Sequence, residues 1–105
     1  MLLAPIVIIV LPSLQEIIDG SDERQKKLFV KQKRFMELNP NHNSLGRTKL
    51  KNVCDKYGRE LWEIRLNQKD RIVFIEKEQS QVVWLKLCTH DELSRRNTIF
   101  VDDTY

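Results

Sequence analysis

Between Glu60 and Cys88 the chain reads as three strands in quick succession, about Glu60–Asn67, Arg71–Lys77 and Val82–Cys88, joined by the turn sequences NQKD and EQSQ. Runs rich in Ile, Val, Leu, Phe and Trp, bounded by Asn, Gln, Asp and Ser, favour extended backbone. Connections this short leave no room for the crossover that parallel pairing needs, so the three runs form an antiparallel meander. Such a sheet needs a covering layer, and the rest of the chain has to supply it.

The N-terminus extends the sheet. Ile6, Val7, Ile8, Ile9 and Val10 are all β-branched, and a strand over about Pro5–Val10 is expected to lie centrally, buried on both faces. Ser13 and Glu16 have capping-box spacing, Leu14, Ile17 and Ile18 give one apolar side, and Gly20 can end this short helix. Ser21 or Asp22 can cap a second helix that runs to about Leu38, where Asn39-Pro40 stops it. Leu28, Phe29, Phe35 and Met36 form its apolar stripe, with Lys26, Lys27, Lys33 and Arg34 mostly outside it. Residues 39–58, rich in Asn, Gly and charge, read as a loop. Past the meander, Thr89 can begin a helical turn over Asp91–Arg96, and Ile99, Phe100 and Val101 form a small apolar patch.

The expected fold class is therefore α+β. An N-terminal strand, a two-helix hairpin and a three-stranded antiparallel meander make one mostly antiparallel four-stranded sheet with both helices on one face. At 105 residues this is a single domain, 1–105. Apolar residues at 41% and charged residues at 31% are a globular balance. The apolar run Met1–Leu11 is too short to span a bilayer, which takes about 20 residues, and has neither a basic leader nor a small-residue cleavage site, so a cytoplasmic protein is expected. Cys54 and Cys88 lack metal-ligand spacing and read as thiols in a reducing compartment; no CxxC or HExxH pattern supports a metal, and no cofactor is expected.

The net charge of +3 conceals a regional distribution. From Ser21 to Arg71 there are 14 Lys and Arg against 7 Asp and Glu, which leaves +7, while residues 1–20 and 72–105 each contribute −2. A basic belt of this kind fits an anionic partner such as RNA, although a Lys-rich helix is more often a solvated face. On the meander, Arg65, Arg71, Lys86 and His90 are the candidates for one charged face. Register decides whether they meet: an odd-length loop or a bulge brings Arg65 and Arg71 to the same side, and an even-length loop separates them.

The order of elements, the hairpin ending in Asn39-Pro40, the meander whose middle strand opens with Arg71, and the closing Thr89-His90-Asp91-Glu92-Leu93 resemble the RelE/ParE superfamily of toxins from bacterial toxin–antitoxin operons. The resemblance spans nearly the whole chain, carried by the order and spacing of LWEIRL, RIVF and THDEL. The His after the last strand is similar to the RelE/YafQ-like ribonuclease branch. That resemblance implies a type II toxin acting as a metal-independent, ribosome-dependent mRNA endonuclease (an mRNA interferase), neutralised by an antitoxin, with the ribosome and mRNA as partners.

Cleavage by the RNA's own 2′-hydroxyl needs a base, cations for the phosphorane and an acid for the leaving 5′-oxygen. The resemblance matches Arg71 to the family's arginine at the start of the third strand, suited to the phosphate by its planar fork. Arg65 falls where relatives carry Lys or His; the alternative is a surface pair with Glu63. His90 is the natural proton-transfer group, against the default of a strand-end cap. Asp70 orients an imidazole in similar proteins, yet ordinary turn chemistry explains it as well. Lys86, Arg47, Lys49, Lys51 and Arg59 are candidates for RNA-backbone contact. Tyr105 lies too far past the His for a role to be carried over. The alternatives are a ParE-like gyrase inhibitor and a non-catalytic RNA-binding member. The RNA-binding reading would rely mainly on Trp84 for base stacking, because Trp62 and Phe74 have the opposite parity from the arginines.

Overall fold

A computed structural model describes residues 2–55 and 57–95. Its five strands are β1 (Val7–Val10), β2 (Thr48–Cys54), β3 (Glu60–Arg65), β4 (Asp70–Glu78) and β5 (Gln81–Thr89). The helices are α1 (Pro12–Asp19), α2 (Glu23–Leu38) and α3 (His90–Arg95). The sheet order is β1-β5-β4-β3-β2, with β1 parallel to β5 and the other neighbours antiparallel.

The expected α+β class and the meander β3-β4-β5 are present, but the sheet has five strands and is mixed. The added strand, β2, lies inside the segment read as a loop, where Thr48 pairs with Glu63 and Lys49 with Trp62. Its sequence, TKLKNVC, is that of an edge strand, on which lysines discourage further pairing and obscure the alternation of a half-buried strand.

The expected central position of the N-terminal strand is also corrected. Among the described residues strand β1 pairs with β5 alone and forms the other edge, so its side chains alternate: Ile8 is buried, while Val7 and Ile9 are 60% and 38% exposed. Helix α1 starts without the Ser13–Glu16 box: Leu11 is its N-cap and Pro12 opens its first turn, where a missing N–H costs nothing. The Asp22 side chain accepts from Gln25 N at 2.8 Å to cap α2, and Asn39 closes that helix.

Both sheet faces carry apolar residues. Beneath α1 and α2 lie Ile64, Ile72, Phe74, Val82 and Trp84, packed against Leu14, Ile18, Phe29 and Met36. Trp84 is fully buried, with the Phe29 ring edge-on at 5.3 Å. The opposite face holds Leu61, Val73, Ile75, Val83, Leu85 and Cys88, with Leu93 of α3 among them. Not all the helices cover one face, therefore, and the cations cannot occupy the whole of the other. The apolar patch at residues 99–101 lies outside the described residues.

Two irregularities in register set the charged face. Five residues separate Arg65 from Arg71, an odd count, and the two stand directly opposite each other. On β5 the pairing passes from Phe74↔Trp84 to Val73↔Lys86, so Leu85 is a bulge. One extra residue reverses the parity of every later position in the strand. Trp84 stays beneath the helices, and Lys86 is delivered to the side of Val73.

Candidate functional site

Reading across the sheet on the side away from α1 and α2, one row contains Thr48, Glu63, Val73 and Lys86. The next row toward the β3–β4 turn contains Arg65, Arg71 and Cys88. Beyond it, Asp70 pairs with Thr89, and His90 follows. A carboxylate, two guanidiniums and an imidazole thus succeed one another along the strand direction, with rows two residues, about 6.6 Å, apart.

Arg71 is held by its own turn. Its Nη1 donates to the carbonyls of Asn67, Asp70 and Gln68 at 2.8, 3.1 and 3.2 Å. The turn can offer these carbonyls because the Asn67 side chain accepts from the backbone N–H of Lys69 and Asp70 at 2.9 and 2.7 Å, which fixes the loop. Nε and Nη2 of Arg71 donate to no described residue.

Arg65 is exposed, and its guanidinium lies across Gly46, where a side-chain Cβ would sit 3.4 Å from Nη2. Gly46 is left-handed at φ 61°, following a 3₁₀ turn over Asn43–Leu45, so glycine serves both the backbone and the arginine lying on it. The carbonyl of Arg65 accepts from Gln32 Nε2 at 2.6 Å, tying β3 to α2.

His90 is exposed at the start of α3, and its N–H donates to the Lys69 carbonyl at 2.9 Å. A reciprocal capping box positions it: Glu92 N–H donates to Thr89 Oγ1 and Thr89 N–H to Glu92 Oε1, both at 3.1 Å. Asp70 turns toward the helices. Its carboxylate accepts from Asn67 Nδ2 at 3.2 Å and Gln25 Nε2 at 3.4 Å, so it joins the turn to α2.

Glu63 emerges from the structure as a member of the group, where the sequence offered it only as a surface partner for Arg65. Half-buried, it makes no hydrogen bond or ion pair with a described residue. Burial pushes its carboxyl above the ordinary glutamate value, while Arg71, then His90, then Arg65 pull it down. Arg71, His90 and Arg65 are therefore the groups whose charge acts on this carboxylate. The signal in the sequence was its shared parity with Arg65.

The candidates for backbone contact are dispersed. Arg47 lies on the helix-side face, paired with Glu76, bonded to Asn41 Oδ1 at 3.0 Å and stacked 4.7 Å above the Trp62 ring. Lys49 pairs with Glu60 at 2.9 Å, and Arg59 is held by buried Asp55 at 2.7 Å. Lys51 is exposed on β2, and Lys86 stands in the Glu63 row. His42 accepts from Ser44 N at 3.0 Å and packs edge-on to Phe35 at 5.1 Å, which gives it a local structural task. Cys88 is buried and Cys54 half-buried, and neither forms a disulfide with the other.

No family model and no curated protein sequence matches the chain. Solved structures do. A chain of the archaeal RelE–RelB complex from Pyrococcus horikoshii superposes with a TM-score of 0.62 at 14% identity, covering 81% of this chain and 94% of that one. The chain has a RelE-like fold. The conserved hypothetical protein HP0894 from Helicobacter pylori aligns at TM-score 0.54 and 18% identity, over 82% of this chain and 96% of its own. A copper-bound mutant toxin from the same organism aligns at 0.50 and 18%, over 84% and 98%. In this RelE-like chain no described helix is long and apolar enough to cross a membrane.

Proposed function

We propose that this chain is the toxin of a type II toxin–antitoxin pair and acts as an endoribonuclease on messenger RNA at the ribosome, stopping translation. The observation that carries the reading is the convergence of Arg65, Arg71 and His90 on one end of a sheet face, on a scaffold with the RelE-like fold. Two guanidiniums directly opposite each other make a clamp for a phosphate whose charge grows in the transition state. An imidazole beside them supplies a group that can carry a proton to or from the reacting oxygens. In this scheme Arg71 and Arg65 hold the phosphate and His90 moves a proton. Asp70 acts through the turn that anchors Arg71, and Lys86, in the row beside the arginine pair, attracts the RNA backbone.

The strands β3, β4 and β5 place no aromatic ring on this face, and Trp84 is sealed under Phe29. A base-stacking RNA module needs such rings at its surface, so the arrangement favours cleavage over stacking. The antitoxin partner is expected to be acidic where it covers Arg65 and Arg71.

Wild-type, Arg71→Ala and His90→Ala forms are to be induced separately in bacteria, with transcript ends mapped afterwards. New cut sites with growth arrest in the wild type, lost in both variants, are the expected result. Arrest without new cuts would transfer the chain to the gyrase-inhibitor class, and no arrest at all would leave an inert fold.

A further inference from the structure

Resting on the ribonuclease reading, we infer that Glu63 is the proton acceptor for the attacking 2′-hydroxyl, with His90 as the proton donor to the leaving 5′-oxygen. The order along the sheet carries this assignment. Glu63 stands one row to one side of the Arg65–Arg71 pair, and His90 follows Thr89 on the other. Displacement at phosphorus is in line, so the entering and leaving oxygens lie on opposite sides of the phosphate. Base and acid must then flank the clamp. Glu63 supplies a carboxylate on one side and His90 an imidazole on the other, and Lys86, in the Glu63 row, carries an ammonium that is protonated at neutral pH and so less suited to accept the proton.

The neighbours of Glu63 fit the role. Arg65 shares its strand, Arg71 stands diagonally on β4, Lys86 lies across Val73 on β5, His90 opens α3, and Thr48 on β2 brings no charge. The Glu63 carboxylate is not locked into an ion pair with a described residue, because Arg71 spends Nη1 on the turn carbonyls. Glu63 also sits inside a paired strand, which holds a catalytic group more firmly than a loop does.

The step balances. The Glu63 carboxylate takes the 2′-hydroxyl proton as the 2′-oxygen bonds to phosphorus. The P–O5′ bond breaks, its electron pair stays on the 5′-oxygen, and His90 protonates that oxygen. The products are a 2′,3′-cyclic phosphate and a 5′-hydroxyl. Solvent then takes the proton from Glu63 and returns one to His90.

The test uses the full chain, ribosomes programmed with a short messenger, and single-turnover cleavage across a pH series for wild type, Glu63→Gln and Glu63→Asp. Binding is measured with the same messenger carrying a 2′-deoxy nucleotide at the cut site. Glu63→Gln is expected to bind that messenger at least as tightly, because it removes a negative charge, while its cleavage rate falls by about 10²–10⁴-fold. It should also lose the acidic limb of the pH–rate profile, whereas Glu63→Asp keeps that limb at a reduced rate. Two results overturn the assignment alone: a Gln variant that cleaves at the wild-type rate with an unchanged profile, or one whose rate loss is matched by lost binding or unfolding. A wild-type chain that cuts nothing overturns the ribonuclease reading and this assignment with it.

Discussion

Replacing Arg71 with alanine removes an anchor and, on the proposed reading, a phosphate clamp together, and the geometry separates the two losses. Nη1 reaches three carbonyls at 2.8, 3.1 and 3.2 Å. One NH₂ group carries two protons, so no more than two of these contacts act at full strength. Hydrogen bonds to a charged group contribute about 1.5–3 kcal/mol each when shielded, and this side chain is half-exposed, which brings the pair to about 2 kcal/mol. For a domain of this size that lowers the melting temperature by about 8–16 °C. Loss of the remaining fork from the phosphate removes a further factor of about 10²–10³ from the cleavage rate of the folded fraction. Arg71→Lys distinguishes the two roles. An ammonium can satisfy the turn carbonyls but cannot extend a second donor face to the phosphate, so it should recover much of the stability and little of the rate. Thermal unfolding by circular dichroism, beside single-turnover cleavage below the transition, measures both. An alanine variant that melts with the wild type would refute the anchoring, and a lysine variant that cleaves normally would refute the fork.

The same face yields two more predictions. Burial raises the folded-state pKa of Glu63 against the pull of Arg71, His90 and Arg65. Its contribution to stability is then full below the unfolded glutamate value and is lost as pH rises through the folded one. Glu63→Gln should therefore melt above wild type at neutral pH, with the gap closing on acidification; a Gln variant that melts lower at neutral pH contradicts the sign. Gly46→Ala forces a side chain into a left-handed backbone at φ 61° and toward the Arg65 guanidinium 3.4 Å away. It should cost about 1 kcal/mol or more and weaken messenger binding, and unchanged unfolding and affinity would show that Arg65 does not depend on that glycine.

What could be read from the chain depended on whether burial imposed a period. The meander was legible because Leu61, Ile64, Ile72, Phe74, Val82 and Leu85 are all buried and their strands lie between partners. Helix α2 was legible for the same reason, through Phe29 and Met36. The two edges were misread in opposite directions. In β1 the β-branched run promised burial on both faces, but an edge position leaves Val7 and Ile9 in solvent. In β2 alternating lysines hid a strand, since they answer to solvent and to the need to block further pairing rather than to a core.

The charged site shows a different kind of limit. Its members were nearly all nameable, yet their convergence depended on two register events that no local propensity encodes: the five-residue span from Arg65 to Arg71 and the bulge at Leu85. Without that bulge, the parity of β5 would send Lys86 under the helices with Trp84 and turn Leu87 outward. The apolar pattern itself shows why the bulge is stable, because Trp84 and Leu87 both belong on the helix-side face although three positions apart, and one extra residue reconciles them. Packing of the core on one side therefore decides the chemistry available on the other. Deleting Leu85 should disturb Lys86 and His90 together, while a substitution confined to Lys86 leaves the imidazole where α3 holds it.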